Sequence, residues 1–323
     1  MGNLAKSWRL LATTATMVLV AGVAQAQSVP ESKDPIKLAL NEWTGQLASS
    51  YIYGSVLEKM GYTVEYVTAG AVPQYEAMVS GNLTANPENW DNNVGEIYPK
   101  AVASGDLVLL GPLGIDAVES WVYPAYMEAK CPGLPDWKAL MNCGEAFATP
   151  ETMPNGRVID YPADWGARAE PLIAALGLPM TAIPGGSEGA MVAEIKSAVA
   201  AEEPVLVMFW APHWLFSEVE MKWVDLPPYE EGCDEDPTKG PIPDKVGDCS
   251  RPAANVSKVA WKGMKDKWPA AWKVLEAMSL DNTTQQKLMF EVDNKGRDIK
   301  EVVQEWMDQN ESVWQNWVSK ATS

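Results

Sequence analysis

Histidine is nearly absent from this 323-residue chain, which carries only His213. With no Cys-x-x-Cys pair either, the ligand spacing of a zinc site is missing. Positive charge is also in deficit. The formal net charge is −18, which argues against nucleic acid as a partner, because phosphate binding needs clustered Lys and Arg. Phenylalanine is scarce: 4 Phe stand against 15 Trp, the reverse of what an ordinary apolar core prefers, so the indole ring has a use beyond filling space. No internal repeat of solenoid length occurs. Beyond the N-terminus no apolar run approaches the length of a spanning helix. What is there, 47% hydrophobic and 21% charged residues, is a globular composition, and the length suggests about two domains.

Residues 1–26 read as a Sec-type signal peptide. Lys6 and Arg9 give a positive start, Leu10 to Ala21 is apolar, and Ala24-Gln25-Ala26 is a small-x-small cleavage site before Gln27. No Cys lies near that site, so no lipid anchor is expected, and the mature chain is expected in the periplasm. Its Cys residues suit an oxidising compartment. Three pairings are possible. Local spacing favours Cys131–Cys143 and Cys233–Cys249, each closing a Gly/Pro-rich loop and each adding about 3 kcal/mol through loop entropy.

Strand-like and helix-like stretches alternate from Ile36 to Gly111: IKLAL, the helical LASSYIYGSVLEKMG, YTVEYVTAG, the helical PQYEAMVSG, EIYPKAVASG, and the strand LVLLG. The alternation restarts between Ala117 and Asp225 with VIDYP, ARAEPLIAALG, TAIPGG, EGAMVAEIKSAVAAEE and PVLVMFW. Such patterns predict parallel βαβ units. The expected fold is α/β with two lobes, each a central β-sheet flanked by helices. Residues 27–116 begin lobe 1 and 117–225 form lobe 2. Residues 226–251 form an acidic loop closed by a disulfide. Residues 252–323 read as helical and return to lobe 1, with Val302, Val303, Trp306, Val313, Trp314, Trp317 and Val318 at helical spacing.

Four Trp share a placement. Trp43 ends IKLAL, and Thr44-Gly45 separate it from the next helix. Trp90 closes NLTANPENW, where Asn86-Pro87 reads as a turn. Trp165 follows VIDYP at the mouth of a helix that Asp164 is placed to N-cap. Trp210 ends PVLVMFW, three residues before His213. Ligands of open α/β sheets bind outside the carboxyl ends of strands. Two of these Trp fall in each lobe, so an interlobe cleft would gather them. Trp261, Trp268, Trp272, Trp306, Trp314 and Trp317 lie instead within amphipathic segments and read as core. A box of indole faces attracts poorly hydrated cations, above all methylated ammonium groups, which have no hydrogen bonds to donate.

NEWTGQ, VLEKMGYTVEYV, PENW, EGAMVAEI and PVLVMFWAPHW together resemble the periplasmic substrate-binding proteins of ABC importers, in the branch that takes glycine betaine, choline and trimethylamine N-oxide. The resemblance spans nearly the whole mature chain. It implies the two-lobed type II periplasmic binding protein fold, a ligand in the interlobe cleft, hinge closure, and the transmembrane subunits of a permease as partners. By position it implies a box of Trp43, Trp90 and Trp210, with Trp165 and the crossover segment of Glu119, Ser120 and Trp121 supplying the remaining contacts. A monomer without cofactor is expected.

The polar end of the ligand decides within the branch. Choline would suit a carboxylate, yet Thr44-Gly45 beside the first Trp offer none. Betaine would want backbone N–H groups or a cation, for which His213 is the candidate. Trimethylamine N-oxide is smaller, and its oxygen would be served by backbone N–H groups or by water held on Glu119 or Asp164. Trimethylamine N-oxide is the expected ligand, with glycine betaine or choline at the same site as the alternative.

Rival readings exist. Gly185–Gly189, GGSEG, matches G-x-S-x-G and would make Ser187 the nucleophile of a secreted hydrolase. Pro184 precedes the glycines and the single His follows too closely, so Ser187 reads as the N-cap of a helix starting at Glu188, and no enzyme is expected. The acidic loop offers Asp234, Asp236 and Asp248 to a structural Ca²⁺, without EF-hand spacing. A secreted adhesive module would instead carry its Trp in a flat exposed patch.

Overall fold

The computed structural model describes Gly2, residues 29–92 and residues 94–322; apart from Gly2, the leader lies outside the described residues. The apolar run Ile36–Leu40 forms β1, whose Ile36, Leu38 and Ala39 are all buried. Burial of consecutive residues means that both faces are covered, as in a parallel sheet. There follow α1 (Thr44–Lys59), β2 (Val64–Thr68), α2 (Gln74–Val79), β3 (Ala85–Trp90), α3 (Ile97–Ser104) and β4 (Leu107–Asp116). After Ala117 the chain enters β5 (Val118–Pro124), then passes through α4 (Met127–Lys130), β6 (Pro132–Pro135) and α5 (Leu140–Cys143) to β7 (Gly156–Asp160). Next come α6 (Ala169–Leu176), β8 (Met180–Pro184), α7 (Glu188–Ala201), β9 (Val207–Ala211), α8 (Leu215–Glu218) and β10 (Met221–Trp223). The last part holds β11 (Asn255–Trp261), α9 (Met264–Lys267), α10 (Pro269–Ala277), α11 (Asn282–Met289), a π-helical turn over Phe290–Asn294, α12 (Ile299–Gln309) and α13 (Glu311–Thr322).

Two five-stranded sheets result, in the orders β2-β1-β3-β11-β4 and β10-β5-β9-β7-β8. Each is flanked by helices, the α/β architecture expected. Within them β1 pairs in parallel with β2 and β3, and β7 with β8 and β9. The segment holding Glu119, Ser120 and Trp121 is strand β5, antiparallel to β9. Trp268, Trp272 and Trp317 are buried in the core of the first lobe, with Ile52 and Leu57 of α1. Among the described residues no helix is long and apolar enough to cross a membrane.

Two local expectations are corrected. The segment after Pro252 is not helical throughout, because β11 inserts antiparallel between β3 and β4. Lys258 hides this strand in the sequence. Its stem is buried and its ammonium donates to the carbonyls of Glu276 and Met278 at 2.8 and 2.7 Å, so a charged residue occupies an interior position. Asn86-Pro87 is not a turn but lies inside β3. The register of β11 against β3 shifts between Ser257 and Val259, partners of Asn89 and Asn86. Pro87 falls in that gap, where no ladder N–H is required.

The structure pairs Cys131 with Cys143, and Cys233 with Cys249 inside the loop of residues 226–251. Ser187 accepts a hydrogen bond from the Ala190 N–H at 3.2 Å and caps α7, which accounts for GGSEG without catalysis.

Candidate functional site

The carboxyl ends of the strands converge on one cavity of about 50 Å³, lined by Trp43, Ala71, Gln74, Tyr75, Glu88, Trp90, Glu119, Tyr161, Trp165 and Trp210. Trp43 occupies the N-cap position of α1 and Trp90 the last position of β3. Trp165 lies in a 3₁₀ turn after β7, and Trp210 near the end of β9, opposite Glu119 of β5. The rings stand edge to face. Trp165 meets Trp43 with centroids 5.2 Å apart at 69°, Trp210 at 5.6 Å and 73°, and Tyr161 at 5.7 Å and 61°. Tyr161 also meets Trp210 at 5.8 Å and 69°. Near-perpendicular rings are a favourable aromatic geometry, and they form the corners of a box. The Trp43–Trp165 contact joins the two lobes.

The floor on the first-lobe side is polar and buried. The two box indoles of that lobe donate to one oxygen, Glu88 Oε1, from Trp43 at 3.1 Å and from Trp90 at 3.0 Å. The other oxygen, Oε2, accepts from Ser49 Oγ and Gln285 Nε2, both at 2.6 Å. Glu88 is fully buried, and burial raises its pKa above the usual carboxylate range against the lowering effect of these hydrogen bonds. Gly45 fits beneath because it has no side chain: a Cβ there would lie 3.1 Å from Gln285 Nε2.

On the other side Glu119 Oε1 accepts from the Tyr161 hydroxyl at 2.8 Å, while Oε2 accepts from Asn92 Nδ2 and pairs with Arg168 Nη1 at 2.9 Å. Burial, then the Glu119 charge, hold the Tyr161 hydroxyl well above its ordinary pKa. Arg168 also donates to the Asn92 carbonyl at 2.7 Å, tying the second lobe to the first. Asp160, at the end of β7, accepts the backbone N–H groups of Tyr161, Arg168 and Ala169, each at 2.8 Å. It thereby fixes the loop that carries Tyr161 and Trp165.

Several sequence-derived assignments change. Asp164 does not cap α6; it is exposed, and Asp160 satisfies the first N–H groups instead. Trp121 does not line the cavity, since it sits two pairs further along β5 than Glu119, opposite Met208, in the second-lobe core. His213 is fully buried behind the box. Its Nδ1 accepts the Leu215 N–H at 3.1 Å, which puts the ring proton on Nε2, donated to Glu188 Oε1 at 3.1 Å. It supports Trp210, 5.2 Å away at 87°, and does not face the ligand space. Choline was disfavoured because Thr44-Gly45 hold no acid, yet β3 and β5 bring two carboxylates to the cavity wall. Tyr161, Glu88, Gln74 and Tyr75 were missed. The i, i+2 spacing of Glu88 and Trp90 on one strand face was a usable signal once Asn86-Pro87 was read as strand. Asp234, Asp236 and Asp248 are not gathered. Asp236 accepts from Thr238, and Asp248 is buried, accepting from the Ile242 N–H at 2.7 Å. The cluster containing Asp248 includes Cys233 and Cys249, whose sulfurs are bonded to each other.

A junction beside Trp43 closes the lobes. The Thr44 N–H donates to Glu188 Oε2 at 2.7 Å, Thr44 Oγ1 to Asp293 Oδ1 at 2.6 Å, and Trp214 Nε1 to Asp293 Oδ2 at 2.9 Å. Burial of the carboxylate and the nearby Glu188 charge push the Asp293 pKa from 3.8 up to about 6, although the residue keeps an exposed edge. The folded state therefore binds this proton more tightly than the unfolded chain. That contribution to stability is complete below about pH 4 and is lost as pH rises through about 6. Thermal unfolding from pH 4 to 7 should show wild type losing more stability than Asp293→Asn; parallel curves would rule out this role for Asp293.

Comparison with known proteins gives one family and several relatives. Residues 34–309 match the substrate-binding domain of ABC-type glycine betaine transport systems. The chain is 28% identical over 310 residues to a trimethylamine N-oxide-binding protein of Pelagibacter ubique, covering 93% of this chain and 96% of that one. Among solved structures, it is similar to the glycine betaine, L-proline-binding protein of Borrelia burgdorferi at TM-score 0.71 and 21% identity, covering 90% of this chain and 100% of that one. It is also similar to a choline-binding protein in complex with choline at TM-score 0.70 and 16% identity, covering 90% and 93%. These likenesses extend to the two-lobed type II periplasmic binding protein architecture.

Proposed function

Because the chain belongs to the substrate-binding domains of ABC-type glycine betaine transport systems, and so is a binding component and not an enzyme, we propose that it captures trimethylamine N-oxide between its lobes outside the cytoplasmic membrane and presents it to a permease. The observation that carries this reading is the lining of the box, where Trp43, Trp90, Trp165, Trp210 and Tyr161 surround one cavity. Trimethylamine N-oxide is little more than the methylated head that the rings would hold, whereas betaine and choline add a longer arm. Methyl groups against indole and phenol faces gain cation–π energy, ~2 kcal/mol or more per desolvated contact. The oxygen, itself an acceptor, would take its hydrogen bond from water held on Glu119 and not from the carboxylate, on the side away from Glu88. The relative from Pelagibacter ubique supports the same choice.

Choline is the second reading, favoured by the acceptor oxygens of Glu119, which suit its hydroxyl donor. Calorimetry against trimethylamine N-oxide, glycine betaine, choline, carnitine and a sugar panel tests both. Low-micromolar binding of trimethylamine N-oxide, at least tenfold tighter than the others, is expected. A preference for choline would support the second reading, and no methylated amine binding below millimolar would refute both.

A further inference from the structure

We infer that Glu88 is the counter-charge of the box: an ionised carboxylate, buried without a basic partner, that selects ligands by their positive charge and aims the faces of Trp43 and Trp90 at them. The inference rests on the proposed binding of methylated amines and adds the residue that sets charge preference.

Four donors converge on this carboxylate. The two indole N–H groups cannot reverse their role, so Oε1 must accept from both. Ser49 and Gln285 saturate Oε2. A protonated Glu88 would need to donate, and its neighbours are arranged to donate to it. Among the described residues, no Lys, Arg or His forms an ion pair with it, in contrast to Glu119, which is paired with Arg168. A buried charge without a counter-ion is costly, yet Glu88 lines the cavity, where a methylated ammonium would sit. The ligand then supplies the missing positive charge. The same hydrogen bonds act through the rings. A carboxylate accepting an indole N–H pushes electron density into the ring, so the faces of Trp43 and Trp90 become more negative toward the cavity.

A purely structural anchor and a counter-charge differ in their response to ligand charge. Glu88→Gln keeps an acceptor for the indoles and removes the charge. Three probes of similar shape separate the roles: tetramethylammonium, a net cation; trimethylamine N-oxide, a neutral dipole; and tert-butanol, uncharged. In the variant, tetramethylammonium should weaken at least tenfold, trimethylamine N-oxide by a smaller factor, and tert-butanol by less than twofold. Equal losses for all three, or no loss, overturn the inference. Wild-type protein that binds trimethylamine N-oxide in either case leaves the proposed function standing, and wild-type protein that binds no methylated amine removes both. Should Glu88→Gln fail to fold, wild-type binding of tetramethylammonium, which has no titrating group, decides. Measured in an Asp293→Asn, Glu119→Gln background, so that neither the lobe junction nor the other cavity carboxylate titrates, affinity that falls with pH ahead of acid unfolding supports the counter-charge, and affinity flat to that point overturns it.

Discussion

Replacing Trp165 by Ala should weaken trimethylamine N-oxide binding at least a hundredfold, about 3 kcal/mol. Trp165 touches three other box rings, Trp43, Tyr161 and Trp210. Its removal takes away one cation–π face, worth ~2 kcal/mol when desolvated, and three edge-to-face contacts of about 0.5–1.5 kcal/mol each. It also removes the interlobe contact with Trp43, so the closed state loses support even before ligand binds. Trp306→Ala is the control. Trp306 stacks on Trp317 with centroids 6.2 Å apart in the C-terminal helices and has no place in the cavity. Calorimetry should show a large loss for the first variant and unchanged affinity for the second; equal affinities would refute the box.

The second large effect belongs to a residue that touches no ligand. Asp160→Ala should destabilise the protein by about 3 kcal/mol, since three backbone N–H groups lose a buried acceptor and each such group costs roughly 1–3 kcal/mol unless water replaces it. For a chain of this size that is a fall in Tm of about 4–5 °C. Asp160→Asn keeps one acceptor oxygen and should recover part of the loss. Ligand affinity should fall together with stability, because the released loop carries Tyr161 and Trp165. Thermal melts with and without ligand measure both, and an unchanged Tm in Asp160→Ala would rule out the anchoring role.

The sequence made the skeleton of the site legible where function rides on local periodicity. Trp43 and Trp210 terminate apolar runs that can only be strands, and strand ends in α/β sheets point to the cleft. Ser187 and its helix were readable from the cap pattern alone. Legibility failed where partners come from distant segments. Glu88 looks like part of a turn until β11 is known to flank β3, and its donor Gln285 lies 197 positions away. His213 looked like a ligand group because of its nearness to Trp210, but nearness in sequence does not say which side of a ring a neighbour occupies. Asp164 was the expected cap, but it lies within a 3₁₀ segment, and Asp160 at the end of β7 accepts the first N–H groups of α6 instead. Trp121 and Glu119 lie on the same strand face, and only the register with β9 separates a cavity residue from a core residue.

The insertion of β11 between β3 and β4 has a consequence for how the chain assembles. The sheet that starts first in synthesis lacks an interior strand until residue 261 has been made, and until then β3 and β4 face each other across a gap. Asn255 and Asp91, hydrogen-bonded across that seam, are 164 positions apart. Closing so long a loop is slow in folding terms. The second sheet, whose strands all lie between residues 118 and 223, needs no such return and can condense while the first still waits. The lobe that opens the chain is the last to be finished.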